Sequence, residues 1–182
     1  QIGPKGNTAY HPFVIDEKNF LFTFTKAGRH YINVKGKEYG PYDEVFNGKT
    51  TYKNELHLDK SGNYAFYYKK LGKYHFHVNG KEYGPYDEFD LYYDNLDFSN
   101  LEKGLFEFSA NKDGKKYHVI DGKEYGPYDY EQRGTIRRNP ANGETLARVL
   151  RNGQQLVLHN GKEIGPFERV INWDLAESLS YY

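Results

Sequence analysis

Gly36-Lys37-Glu38-Tyr39-Gly40-Pro41-Tyr42 is the stretch from which the fold is read. The phrase returns at Gly80 to Tyr86 and at Gly122 to Tyr128. It returns once more at Gly161 to Phe167, with Ile164 and Phe167 replacing two tyrosines. Its copies start 44, 42 and 39 residues apart. A period near 40 predicts one supersecondary unit per copy. Gly3-Pro4 matches the tail of an earlier copy. Units are expected at about 5–44, 45–88, 89–129 and 130–168, with a partial one at 169–182.

A second glycine keeps step with the first. Gly28, Gly72, Gly114 and Gly153 each lie eight residues before Gly36, Gly80, Gly122 and Gly161. That constancy predicts two turns bracketing one strand of fixed length. The turn pairs are Ala27-Gly28 and Lys35-Gly36, Leu71-Gly72 and Asn79-Gly80, Asp113-Gly114 and Asp121-Gly122, and Asn152-Gly153 and Asn160-Gly161. Asn-Gly and Asp-Gly suit tight hairpins, in which both central residues have positive φ. Before each first turn the aromatics alternate: Phe20, Phe22 and Phe24, then Tyr64, Phe66 and Tyr68, then Phe106 and Phe108 with Ala110. Period-two aromatics between glycine turns predict half-buried or sandwiched strands. Bracketed strands are expected at Tyr31 to Val34, His75 to Val78, Tyr117 to Ile120 and Leu156 to His159. A short strand over Lys-Glu-Tyr follows, stopped at Gly40-Pro41, Gly84-Pro85, Gly126-Pro127 and Gly165-Pro166 because proline cannot donate to a ladder. A fourth strand is expected in the variable segment, for example at Thr51 to Leu58 or Glu88 to Tyr93.

Four short antiparallel strands per unit describe an all-β chain and a β-propeller blade. Asp59-Lys60-Ser61-Gly62-Asn63-Tyr64-Ala65-Phe66, then Gly72-Lys73-Tyr74, then Val78-Asn79-Gly80-Lys81-Glu82-Tyr83-Gly84-Pro85-Tyr86-Asp87 resembles the WD40-like repeats of the TolB-type propellers. The resemblance runs from about Phe13 to the end. It departs from true WD repeats, since Trp173-Asp174 occurs once and outside the phrase. Tyr42-Asp43-Glu44-Val45 also resembles the WG-type β-repeats, although no Trp-Gly pair is present. The resemblance implies a propeller; the partial copies at the two ends suggest either an arc of a larger ring or five blades closed from those ends, and the arc is preferred because a ring missing a strand would expose edges. It also implies an extracytoplasmic module (periplasmic, cell-surface or secreted) that binds another protein or a larger assembly.

Charge narrows the function. Lys and Arg number 25 against 25 Asp and Glu. That balance excludes general nucleic-acid binding, which needs a cationic surplus. No apolar run long enough to cross a membrane is present. The absence of cysteine removes disulfides and thiol chemistry. No nucleophile elbow, phosphate loop or dinucleotide fingerprint appears, so no catalytic residue and no cofactor is expected. His75 and His77 alternate on one strand, a spacing that two metal ligands could use. The histidines of the other units fall out of register with them, so no metal site is expected.

Two charged regions are candidates for partner contact. The stretch from Asp87 to Glu102 carries only acidic charges, among them Asp90, Asp94 and Asp97. Arg133, Arg137, Arg138, Arg148 and Arg151 follow and suggest a basic surface on the fourth unit. The recurring tyrosines are expected to pack between units, and Lys and Glu of the phrase to form cross-strand pairs. Asp43, Asp87 and Asp129 are expected in turns or caps. The alternative function is carbohydrate binding or a glycosidase that uses tyrosines and acids at one pole.

Overall fold

The glycine pairs set the hairpins. In the computed structural model, which describes residues 9–45, 56–89, 100–129, 136–139 and 141–170, all eight turns have two successive positive φ angles, such as 47° at Asn79 and 91° at Gly80. Every non-glycine residue with positive φ among the described residues opens one of these turns. Two-residue turns with this twist let flanking strands pair without splaying.

Between the turns run antiparallel strands. Sheet one holds β1 (Ala9–Val14), β2 (Phe20–Lys26), β3 (Arg29–Val34) and β4 (Lys37–Tyr42). Sheet two holds β5 (Glu44–Val45), β6 (Leu56–Leu58), β7 (Tyr64–Lys70), β8 (Lys73–Val78) and β9 (Lys81–Tyr86), with β5 and β6 both paired to β7. Sheet three holds β10 (Glu88–Phe89), β11 (Glu107–Lys112), β12 (Lys115–Ile120) and β13 (Lys123–Asp129). Sheet four holds β14 (Ile136–Arg138), β15 (Thr145–Arg151), β16 (Gln154–His159) and β17 (Lys162–Phe167). Each sheet is a meander with strands in chain order. The described residues contain one 3-10 turn, Leu101–Lys103, and no α-helix. The fourth strands expected at Thr51 to Leu58 and Glu88 to Tyr93 are seen over Leu56–Leu58 and Glu88–Phe89; the rest lies outside the described residues.

One expectation is corrected. The last strand does not stop at Gly-Pro. β4 continues through Gly40-Pro41 to Tyr42, which pairs with His30 after a register shift, and β9, β13 and β17 do the same. Each is the outermost strand of its sheet, where the donor missing from proline faces no further strand. The shift is a bulge, and it requires glycine. Gly40 has φ +128°, and an added Cβ would lie 2.9 Å from the His30 carbonyl oxygen.

The chain divides into two compact units, Gln1–Tyr86 and Asp87–Tyr182. In the first, sheets one and two share a core of Leu21, Ile32, Val34, Tyr42, Val45, Leu56, Phe66 and Tyr68. The Tyr42 and Tyr68 rings stack with centroids 3.8 Å apart. In the second, Ile120 and Tyr128 of sheet three meet Ile136, Ala147, Val149, Leu156 and Leu158 of sheet four.

Asp43, Asp87 and Asp129 each cap the first turn of the following sheet. Their Oδ2 atoms accept the amides of Gly72 at 3.1 Å, Asp113 at 2.7 Å and Gly153 at 2.9 Å. A left-handed turn leaves such amides pointing outward, and a carboxylate one sheet away satisfies them. The second turns are held from within. Side chains of Asn79, Asp121 and Asn160 accept the amides of Tyr64, Phe106 and Thr145.

Leu71 is the weakest fit to these rules. It has φ 52° and is 87% exposed, so it bears the left-handed strain without packing return. Leu71→Asn, the residue found at 79, 152 and 160, is expected to raise stability by about 0.5–1 kcal/mol. A urea midpoint that stays or falls would count against this reading of the turn.

Candidate functional site

Among the described residues of the second unit, chemistry-bearing side chains concentrate in two places. The first is buried. Alternation along β11 and β12 puts Glu107, Ser109 and Asn111 on one face with Lys116, His118 and Ile120, as the pairs Glu107–Ile120, Ser109–His118 and Asn111–Lys116 require. The corresponding places in sheet one hold Leu21 and Ile32 where sheet three has Glu107 and His118. All of these polar groups are buried.

Arg138 of β14 answers the carboxylate. Its Nε donates to Glu107 Oε2 at 2.6 Å, its Nη2 to Asp121 Oδ1 at 2.7 Å and its Nη1 to the Gly143 carbonyl at 2.9 Å. Both side chains of the Glu107–Arg138 pair are 5% exposed. Such a pair orients two sheets but adds little net stability, because desolvation offsets the attraction. Ser109 Oγ and His118 Nδ1 lie 2.8 Å apart, while His118 Nε2 is buried without a hydrogen-bond partner. With no exposed surface on His118, this serine–histidine pair has no route to substrate. Sequence reading missed the cluster; the available signal was the replacement of Leu21 and Ala65 by Glu107 at one repeated position.

The histidines of both units bear on pH. Burial holds His118 down to about 3 and His77 down to about 4. His77 stacks on Phe66 with centroids 4.7 Å apart. Their unfolded counterparts titrate near 6.5, so the unfolded chain binds more protons below that value. The contribution of these two histidines to stability is therefore complete above about pH 6.5 and falls as pH drops toward 4, by about 1.4 kcal/mol per pH unit for each. His118→Gln is expected to remove one such share from the slope of stability between pH 6 and pH 4. Urea titrations give that slope, and an unchanged one would place His118 in contact with water.

The second concentration lies at the outer end of sheet four. Arg151 of β15 donates to both oxygens of Glu163 on β17, the Nη2–Oε1 bond being 2.7 Å. The Tyr128 hydroxyl donates to Glu163 Oε1 at 2.9 Å, and the guanidinium lies 5.2 Å from the Tyr128 ring centroid. Burial would raise the Glu163 carboxyl, but hydrogen bonds from Arg151 and Tyr128 outweigh it and hold it below the usual range. Beside this pair is a pocket of about 290 Å³, lined by Arg151, Asn152, Gln154, Leu156, Glu163, Gly165 and Pro166. On the opposite face of β17, Ile164 is 42% and Phe167 is 40% exposed. Their partners across the ladder, Val157 and Gln155, are half-buried.

The expected basic surface is thereby reduced. Arg138 is interior, where three acceptors hold its guanidinium, and Arg151 is neutralised by Glu163. Arg137 is exposed on β14, and Arg148 is half-buried on β15. Arg133, Asp90, Asp94 and Asp97 lie outside the described residues, as does Trp173-Asp174. The tyrosines that end the phrase, Tyr42, Tyr86 and Tyr128, are buried, while Tyr39, Tyr83 and Tyr125 are half-buried. Each of the latter carries a lysine ammonium over its ring, from Lys37, Lys81 and Lys123, at 4.7–4.9 Å. Three glutamates of the phrase pair across strands, Glu38 with Lys26, Glu82 with His75 and Glu163 with Arg151. Among the described residues, no group of three or more His, Asp or Glu could hold a metal, and no helix is long and apolar enough to cross a membrane.

No family model, curated protein or solved structure matches the chain. A functional reading of sheet four therefore rests on its own geometry.

Proposed function

We propose that the chain is a non-catalytic repeat module of β-propeller type, its sheets acting as blades, and that sheet four binds another protein or a larger assembly. One observation carries the protein-binding reading. Phe167 is 40% exposed, whereas Tyr42, Tyr86 and Tyr128 at the equivalent place are 6%, 1% and 1% exposed. An aromatic left open where its counterparts are covered marks a surface suited to a partner. The blade reading is supported by the meander order and by the single residue, Asp43 or Asp87, that joins one sheet to the next. An extracytoplasmic setting follows from the TolB-type resemblance and is part of the same proposal.

A photo-crosslinking residue placed at 167 tests the binding surface. Cross-linking to one protein species is expected, competed by unmodified chain and lost in an Ile164→Asp background. The same group at exposed Leu71 is the control; equal labelling from 71 and 167 would discard the proposal. The carbohydrate alternative is less favoured. Three of the repeated tyrosines are buried, and the half-buried ones already carry lysine over a ring face.

A further inference from the structure

We propose that the corner pocket of sheet four receives one hydroxyl-bearing aromatic ring, supplied by a tyrosine side chain of a protein partner. This rests on the protein-binding reading above and names the chemistry recognised. In sheet one, Tyr31 sits opposite the Gly-Pro bulge, and a Cβ added to Gly40 would stand 2.8 Å from its Cδ1. Tyr117 takes the same place in sheet three, 3.1 Å from the corresponding position on Gly126. Those two sheets close the corner with a phenol ring of their own. In sheet four the residue is Leu156, whose Cδ2 stands 3.1 Å from the corresponding position on Gly165 with the Phe167 ring at 3.0 Å; Leu156 has no ring to extend further, and a pocket lies beside it.

The walls suit the missing group. Leu156 and Pro166 offer an apolar floor and side, and Gly165 completes the lining there. Glu163, kept ionised by Arg151 and Tyr128, offers a carboxylate to a donor. Asn152 and Gln154 add amides to the lining. A phenol matches both features, since its ring meets the apolar floor and its hydroxyl donates to Glu163. An anionic ligand does not, because Arg151 is already neutralised by Glu163. An aliphatic side chain leaves the carboxylate without the extra donor.

p-Cresol, the tyrosine side chain alone, tests the pocket in amide correlation spectra of the full chain. Saturable shifts at Gln154, Leu156 and Gly165 are expected, with a dissociation constant on the order of 1 mM. Toluene, lacking the hydroxyl, is expected to bind several-fold more weakly. Leu156→Tyr restores the residue of sheets one and three and is expected to weaken p-cresol at least about tenfold. Should that variant misfold, nuclear Overhauser contacts between p-cresol and the Leu156 methyls in the unmodified chain decide instead. Absence of saturable shifts, or shifts indifferent to Leu156→Tyr in a folded variant, would overturn the inference. Cross-linking from 167 without p-cresol binding would sink the pocket and spare the protein-binding reading. The reverse pattern would overturn the protein source of the ring.

Discussion

Gly84→Ala is expected to cost roughly 3 kcal/mol, by adding backbone strain to a steric clash. Gly84 has φ +118°, a region almost closed to residues with a Cβ. An added Cβ would also lie 2.8 Å from the Tyr74 carbonyl oxygen, a backbone atom fixed by the β8–β9 ladder. Relief would require β9 to move away from β8, withdrawing Tyr86 from its buried place. Gly72→Ala separates the two contributions. Gly72 has φ +74° with nothing within 4 Å of its added Cβ, so only the left-handed penalty of about 1–2 kcal/mol applies. Thermal midpoints should fall by about 6–12 °C for Gly84→Ala and by clearly less for Gly72→Ala. Equal losses would mean that the bulge relaxes freely and that glycine there serves φ alone.

Arg138→Met is expected to destabilise the second unit by about 3–5 kcal/mol, because it takes the guanidinium away from the buried Glu107 carboxylate. Asp121 is less affected, as its side chain is 36% exposed and water can replace the guanidinium. Adding Glu107→Leu, the residue sheet one uses at that place, should recover most of the loss. What remains is about 1 kcal/mol for the Gly143 carbonyl, which loses its donor. Denaturant midpoints of the single variants and the double variant close the cycle. A single Arg138→Met loss below about 1 kcal/mol would show that water reaches Glu107.

The hairpins were legible because backbone geometry at a two-residue turn is a local demand. Positive φ at Asn79 and Gly80, or at Asp121 and Gly122, admits few residue types, so these pairs announce the turn. Alternation at Phe20, Phe22 and Phe24 announced β2 for a similarly local reason. The end of β4 was misread. A proline ends a ladder only where a neighbouring strand needs its donor, and edge position is settled by pairing, not by the phrase itself. The buried cluster was invisible for a related reason. Glu107, Ser109 and His118 alternate with Phe106, Phe108 and Val119, a pattern that also describes a strand with one face in water. Whether that polar face is wet depends on Arg138 and the rest of sheet four lying against it.

The chain's own order of residues thus determined turn positions, strand count between turns, the antiparallel pairing and the all-β class. These follow from φ preferences and period-two burial, which act over a few neighbouring residues. Assembly of sheets decided the rest. It buried Arg138, sent Asp43, Asp87 and Asp129 to the next sheet's turn, and left Phe167 open while covering Tyr128. Those outcomes depend on which faces meet across the space between sheets, a long-range condition that no residue carries in its immediate neighbours.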